Sequence, residues 1–280
     1  MVLSLKSILS LSLAIFNNIL TKLIICYKNQ TYLYQTSGML IEKILLPVDK
    51  LGQEKDEMFS LFQSHFEGVT YEQFEQDLNS KNWVILLKDN SILKGFTTML
   101  FYEAKFKNES VRIVYSGDTI TDPSIWSNPA LAQAWVASVK AIHKGRKEKL
   151  YWLLISSGFR TYRFLSVFWK TFYPCYNQET PSNVAEFINN LAQEQFKEYF
   201  DIQTGIIRLS QPQILRPHLQ KIPNEKLKNS HIAFFLQKNP NYNKGDELVC
   251  FAEVSETYLT RAGLRIWQNA NSLQIPFPVN

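Results

Sequence analysis

The fold is decided by residues 83–120, which read WVILLKDNSILKGFTTMLFYEAKFKNESVRIVYSGDTI. Three segments rich in β-branched and aromatic residues, Trp83–Leu87, Ile92–Phe101 and Val111–Ile120, are separated by short polar stretches. Such runs between turn residues are typical of β-strands. Because each connection is only a few residues long, neighbouring strands must be antiparallel. The stretch therefore predicts a three-stranded antiparallel meander.

The residues before the meander predict one strand and two short helices. The segment Ile41–Leu46, which reads IEKILL, is expected to be a short strand that ends at Pro47. Apolar side chains between Met58 and Phe66 fall on one helical face. Thr70 and Gln73 have the spacing of a capping box, which predicts the start of a second helix.

The residues after the meander predict a helix, a buried strand and another helix. Pro129 suits the first turn of a helix, with Ser127 or Asn128 as its cap. Leu150–Ile155 is almost continuously apolar, which indicates a strand covered on both faces. Phe159–Phe172 has the pattern of a further helix. The predicted order is therefore β-α-α-β-β-β-α-β-α.

This order resembles that of the GCN5-related N-acetyltransferase (GNAT) superfamily over residues 39–175, roughly half of the chain. The resemblance implies an α/β fold, with a mixed central sheet and helices on both faces. It also implies transfer of an acyl group from a thioester to an amine. Residues 176–280 are expected to complete the sheet as a C-terminal α/β extension, with a helix from residue 182 to about 199 as an insertion. Further predicted segments are Gly205–Leu209 and Glu247–Ala252 as strands and Ile232–Leu236 as a short helix or strand.

The resemblance also places a donor site. In this family the fourth strand bulges and offers backbone amides to the thioester carbonyl. The next helix begins with an (Arg/Gln)-x-x-Gly-x-(Gly/Ala) signature, whose amides bind the pyrophosphate of coenzyme A. Carried over to this sequence, the donor-binding positions are Ser116, Gly117, Ser127, Asn128 and Ala130. The sequence departs from the signature, because Asn128 replaces the glycine and Ile125 replaces the Arg or Gln.

Three interpretations of that departure stay open: a weakened coenzyme A site, an acyl-carrier protein donor held through its phosphopantetheine arm, or a domain without catalysis. In the third case the chain is a non-catalytic module that binds an acyl ligand or a protein partner. An enzyme predicts an open cleft between the fourth and fifth strands, and a binding module predicts a cleft filled by side chains. The 19 Phe, 13 Tyr and 6 Trp suit a large aromatic core or an apolar tunnel for a long acyl chain.

Two residues are carried over as catalytic. The resemblance implies Asp118, just after the expected bulge, as the base and Tyr162 as the acid that protonates the departing thiolate. The simpler alternatives are a capping aspartate and a packed tyrosine whose hydroxyl bonds to backbone. Arg160 and Arg163 could bind a carboxylate or a phosphate, or could be solvated. The acceptor is expected to be a small-molecule or peptide amine, and a homodimer fits the fold.

The composition predicts a globular protein without metal or disulfides. The chain has 280 residues, 45% hydrophobic content and a net charge of +5. Cys26, Cys175 and Cys250 are far apart, and the four histidines have no metal-binding spacing. We therefore predict a cytoplasmic protein without a metal cofactor. Nucleic acid is not an expected partner, since basic and aromatic residues are not interleaved.

The first 38 residues form an apolar extension. Lys6 and Lys22 bracket only part of the apolar segment 3–25, whereas a membrane span needs about 20 apolar residues. Three interpretations stay open: a packed or peripheral helix, an interfacial membrane anchor through residues 3–25, and an extension upstream of a start at Met39.

Overall fold

A computed structural model describes residues 40–270 and 272–279. The predictions for residues 1–38, including membrane contact through residues 3–25, lie outside the described residues. Within the described ranges, every helix is too short or too polar to cross a bilayer.

The first half of the described chain has the predicted order of elements, with one two-residue strand added. In chain order its elements are β1 (Glu42–Pro47), α1 (Glu54–His65), β2 (Phe66–Glu67), α2 (Tyr71–Asn79), β3 (Trp83–Asp89), β4 (Ile92–Phe106), β5 (Glu109–Thr121), α3 (Ala130–Ile142), β6 (Lys149–Ser156) and α4 (Phe159–Phe168). The β-α-α-β-β-β-α-β-α prediction is therefore confirmed.

The second half alternates short strands and helices. Its elements are α5 (Ser182–Phe196), β7 (Phe200–Asp201), β8 (Ile206–Ile207), β9 (Ile214–Leu215), α6 (Pro217–Gln220), α7 (Asn224–Leu227), α8 (Ser230–Lys238), β10 (Glu247–Glu253), α9 (Arg261–Asn269) and β11 (Leu273–Gln274). The predicted segment 232–236 is a helix, and the expected strand 205–209 is shorter than predicted. The prediction contains neither α9 nor β11.

Helix α4 is shorter than the predicted Phe159–Phe172. Trp169 leaves the helix, because its backbone bridges to Leu259 and its indole N–H donates to the carbonyl oxygen of Glu253 at 2.9 Å. These contacts bind the end of α4 to the strand and loop that complete the sheet.

Nine strands of the described residues form one sheet in the order β11-β1-β3-β4-β5-β6-β10-β8-β7. Only the β5–β6 and β1–β11 pairs are parallel within it. Strand β10 runs antiparallel to β6, so the second half of the chain completes the sheet as expected. The predicted mixed sheet is confirmed.

Helices cover both faces of the sheet. On one face, α3, α4, α8 and α9 pack over the largest buried cluster. On the other face, α1 and α2 cover strands β1, β3 and β4, while α5 covers β5, β6 and β10. The predicted two-sided architecture is therefore confirmed.

Strands β5 and β6 separate at their carboxyl ends. Their pairing begins at Val111 and ends where Ser116 faces Leu154, although β5 continues to Thr121. Opposite β4, the register shifts so that Thr98 faces both Gly117 and Asp118, which is a β-bulge. The bulge and the strand separation coincide and open a gap in the sheet. Ligand sites of open α/β sheets lie at such carboxyl ends.

Candidate functional site

Two cavities meet at the gap between β5 and β6. The α3–α4 cavity, of about 590 Å³, lies on the face covered by α3 and α4. The α2–α5 cavity, of about 650 Å³, lies on the opposite face between α2 and the end of α5. Six residues line both cavities: Phe66, Ser116, Thr119, Ile120, Ser157 and Thr161. The site is therefore one cleft with an entrance on each side of the sheet.

Gly117 allows the bulge to pack tightly. A Cβ atom at this position would lie 2.5 Å from Thr98 Oγ1 and 2.7 Å from Lys81 Cε. Real Cβ contacts are not this short, so any other residue would displace its neighbours. The bulge also divides the cleft lining: the Ser116 side chain contacts the α3–α4 side, and Asp118 lines only the α2–α5 cavity.

The α3–α4 cavity has an apolar inner wall, and the charged residues that line it are basic. Its inner wall is formed by large apolar side chains, namely Trp135, Trp152, Phe164, Val167 and Phe168. Arg160, Arg163 and Lys226 also line it, while no Asp or Glu of the described chain does. The guanidinium of Arg160 lies 3.9 Å from the ring centroid of Trp126 and donates to the Leu219 carbonyl at 2.8 Å. This combination suits a ligand with an apolar arm and an anionic group.

The start of α3 departs from a glycine-rich phosphate loop. Ser127 and Asn128 line the α3–α4 cavity as predicted positions, but Ala130 is buried and does not. The Asn128 side-chain oxygen accepts from the amide of Ala130 at 2.9 Å, so this amide is already paired. Asn128 thus lies just before the N-cap Pro129, and its side chain pairs with the first amide of the helix where the family signature has a glycine.

The α2–α5 cavity is polar and acidic. Four carboxyl groups line it, against the single basic residue Lys197: Asp77, Asp118, Glu198 and Glu247. Behind Asp77, the fully buried Lys81 ammonium bonds to the Asp77 carboxylate at 2.6 Å. Asp118 and Glu247 have no cation partner this close among the described residues, so each would attract a protonated amine once it has lost its own proton.

Two of these carboxyl groups hold their protons near neutral pH. Burial, together with the charges of Asp77 and Glu247, raises the pKa of Asp118 to about 8, although the Lys81 charge opposes the shift. Burial also raises the pKa of Glu247 to about 7, with a further contribution from Asp77. A carboxyl group with a pKa near the working pH is suited to accept and release a proton.

Tyr162 does not belong to this cleft. Its side chain is fully buried, packs against Phe172 and Phe235, and donates its hydroxyl proton to the Pro174 carbonyl at 3.0 Å. It lines neither cavity. The predicted role of Tyr162 as the acid is therefore wrong, because α4 turns this position toward the core rather than toward the strand gap. The simpler alternative, a packed tyrosine bonded to backbone, describes it.

Replacing Asp118 with Asn should stabilise the protein at alkaline pH. The folded-state pKa of about 8 lies above the ordinary value of 3.8, so the folded protein holds this proton more tightly than the unfolded chain. The stability that this tighter proton binding gives the folded protein is complete below pH 4 and is lost as the pH rises toward 8. An asparagine at this position has no such proton to release, so Asp118→Asn does not lose this stability as the pH rises. We expect the melting temperature of the variant, relative to that of the wild type, to be higher at pH 8.5 than at pH 4.

Asp122→Asn is the matched control, because it should have the opposite sign. Hydrogen bonds from Ser124 hold the pKa of Asp122 below its ordinary value, so this carboxylate stabilises the fold at neutral pH and loses the effect in acid. The variant should lose stability at pH 8 but not at low pH. Parallel pH profiles for both variants would contradict the assignment of the raised pKa to Asp118.

Neither protein-family models nor curated protein sequences yield a match to this chain. Solved structures similar to it include a protein of unknown function from Enterococcus faecalis, described as a probable N-acyltransferase. That protein is 13% identical, with a TM-score of 0.38, and the match covers 78% of this chain and 66% of that one.

Two further solved structures are similar over about half of the chain. A predicted acetyltransferase from Clostridium acetobutylicum, solved with acetyl-CoA, is 12% identical with a TM-score of 0.36, covering 52% of this chain and 98% of that one. ElaA of Escherichia coli is 18% identical with a TM-score of 0.34, covering 51% and 95%. At these identities and TM-scores, the likeness does not determine the activity of this chain.

Proposed function

We propose that the protein is an N-acyltransferase that moves an acyl group from a thioester to an amine. One observation carries the proposal: a basic, apolar cavity and an acidic, polar cavity meet between two diverging parallel strands, beside a β-bulge and Asp118. Two reactants of opposite charge could enter from opposite faces and meet at the gap. Positioning of this kind lowers the barrier of a two-substrate reaction.

The thioester donor is assigned to the α3–α4 cavity. Its apolar wall suits a pantetheine arm and an acyl chain, and Arg160, Arg163 and Lys226 suit phosphate groups. These residues would compensate for the start of α3, where the Asn128 side chain already occupies the Ala130 amide. Acyl-coenzyme A and acyl-carrier phosphopantetheine are both donors of this chemistry.

The amine acceptor is assigned to the α2–α5 cavity. Its carboxyl groups attract an ammonium group, and several glutamines offer hydrogen bonds to other polar groups of the acceptor, namely Gln73, Gln76, Gln195, Gln211 and Gln213. A polar, cationic small molecule suits this lining better than an apolar amine. A peptide with a free amine is the second acceptor class.

The reaction would proceed by direct attack. The acceptor ammonium first loses one proton to solvent. The neutral amine then attacks, Asp118 takes the proton that the nitrogen loses as the C–N bond forms, and the C–S bond breaks, so the sulfur leaves as a thiolate with the bonding electron pair. Ser116 and Gly117 place the bulge backbone beside the thioester carbonyl. The amide groups of such a bulge can stabilise the oxyanion.

A non-catalytic module is the alternative from another class. It predicts a cleft filled by side chains, whereas this cleft contains cavities of about 590 and 650 Å³. The open cleft favours the transferase. A homodimer, membrane contact through residues 3–25 and a cytoplasmic location stay predictions.

Thermal shift with a panel of acyl-coenzyme A and acyl-carrier donors tests the donor assignment. We expect stabilisation by at least one donor, weakened when Arg160 and Arg163 are both replaced with Gln. Binding that survives this double change would contradict the assignment of the donor to the α3–α4 cavity. No response to any thioester would contradict the proposed function itself.

Narrowing the α3–α4 cavity should select against long acyl chains. Val167 lines this cavity on α4, near Phe164 and Phe168. A phenylalanine at position 167 would occupy part of the apolar space. We expect Val167→Phe to lower kcat/KM for acyl donors of eight or more carbons by about 10-fold, which is the scale of one or two buried methylenes. Acetyl transfer is the internal control, and an equal loss for acetyl and long-chain donors would contradict an acyl tunnel at this position.

A further inference from the structure

The Ser116 hydroxyl has an unusual environment at the centre of the cleft. Ser116 is the last residue of β5 that pairs with β6, and it lines both cavities although only 2% of its surface is exposed. The indole N–H of Trp135 donates to Ser116 Oγ at 3.1 Å, and the indole N–H of Trp152 donates to it at 2.9 Å. Two buried donors from α3 and β6 therefore fix one oxygen atom.

This arrangement determines what the hydroxyl can still do. A serine hydroxyl has two acceptor lone pairs and one proton to donate. Both lone pairs accept from indole N–H groups, which can only donate. The O–H bond therefore points in the one direction that remains free around the oxygen. Among the described residues, no acceptor lies within hydrogen-bonding distance of that proton. The two tryptophans also withdraw electron density from the oxygen, which makes its proton a better donor.

We infer that the Ser116 hydroxyl donates a hydrogen bond to the sulfur atom of the thioester donor and stabilises the departing thiolate. The inference rests on the proposed function and adds a residue for the leaving group, a role left empty by Tyr162. The position fits, because Ser116 lies where the cavity assigned to the thioester arm meets the cavity assigned to the amine.

Acyl transfer requires no proton from Ser116. The amine nitrogen gives one proton to Asp118 and forms the C–N bond, while the C–S bond breaks and the sulfur keeps the electron pair. Ser116 retains its proton and shares it with the thiolate through the hydrogen bond. A charge-assisted bond of this kind is about twice as strong as a neutral one.

The test compares the binding of coenzyme A with that of desulfo-coenzyme A, in which hydrogen replaces the thiol group. We expect the wild-type protein to prefer coenzyme A by about 10-fold at a pH at which its thiol is ionised, because a hydrogen bond to a charged group is then available. Ser116→Ala should abolish the preference while the affinity for desulfo-coenzyme A changes little. A preference that survives in Ser116→Ala would overturn the inference.

Ser138→Ala is the matched control, since Ser138 is also a buried serine, but its hydroxyl has no hydrogen-bond partner within residues 40–270 and 272–279 and it lines neither cavity. It should keep the preference. If Ser116→Ala does not fold, Trp152→Phe removes one of the two fixing donors and should reduce the preference, whereas an unchanged preference would again overturn the inference. Wild-type protein that binds neither compound would contradict coenzyme A as the donor, and the same comparison with phosphopantetheine and its desulfo analogue would then decide the role of Ser116. Equal binding of both members of a pair would contradict only the role of Ser116.

Discussion

Asp118→Asn should lower kcat by about 10²- to 10⁴-fold, the range typical of a lost general base. The side chain is nearly isosteric, so the cavity keeps its shape and loses only the group that accepts the proton. The measurement is the steady-state rate of thiol release with the preferred donor and a saturating amine. Binding of the donor should be retained, because Asp118 lines only the opposite cavity.

The same variant should change the pH profile. In the wild type, the rate should rise with pH and level off above about 8, since the base must be deprotonated and burial raises the pKa of Asp118 to about 8. Asp118→Asn should remove this limb, so the residual rate should follow only the ionisation of the acceptor amine. A limb that stays near pH 8 in the variant would contradict the role of Asp118.

Glu247→Gln tests whether the base is Asp118 or the neighbouring Glu247. The Glu247 charge helps to raise the pKa of Asp118, so its removal should move the limb to lower pH rather than abolish it. Loss of an acidic group from the acceptor cavity should also raise KM for a cationic amine. If Glu247→Gln abolishes the limb and Asp118→Asn only moves it, the two roles are reversed.

Gly117→Ala should lower both the stability and the activity of the protein. The new Cβ would lie 2.5 Å from Thr98 Oγ1, a fully buried atom, and 2.7 Å from the buried Lys81 side chain. Forced overpacking of this kind costs about 1–3 kcal/mol. The bulge must shift to relieve it, which would move Asp118 and lower kcat by about 10²-fold, as expected of a displacement near 1 Å.

Gly52→Ala is the control for a glycine whose Cβ has room. There the nearest atom would be a flexible carboxylate oxygen at 3.5 Å, so chemical denaturation should show a change below about 0.5 kcal/mol. If Gly117→Ala were as stable and as active as Gly52→Ala, the bulge would not be a rigid element that positions Asp118.

Local sequence patterns were sufficient to predict the elements before residue 168. The Thr70 hydroxyl accepts from the Gln73 amide at 3.2 Å, as the capping-box spacing indicates. Strand β6 is buried on both faces, which explains its continuous apolar run. Helix α9 was missed although Arg261–Asn269 is strongly amphipathic and Thr260 caps it by accepting from the Gly263 amide at 3.1 Å, so a local signal for this helix was present.

The site was only partly predictable, because its residues come together through sheet order. Gly117 and Asp118 carry a local signal, namely a glycine and a charge inside an apolar strand. Asp77 and Glu247 are far apart in sequence and meet only because β10 inserts between β6 and β8. Tyr162 shows the opposite error: the family resemblance implied a catalytic role, but the rotation of α4 turns this side chain into the core.

The most direct test of the central claim is the release of free thiol from acyl-coenzyme A and from acyl-carrier phosphopantetheine, followed with and without an amine. The panel should include amino sugars, linear polyamines and peptides with a free amine, and product mass should be recorded in the same reactions. We predict thiol release that depends on one class of polar, cationic amine, together with a product heavier by the acyl group. Thiol release that is absent with every pair, or that proceeds equally without amine, would contradict acyl transfer across this cleft.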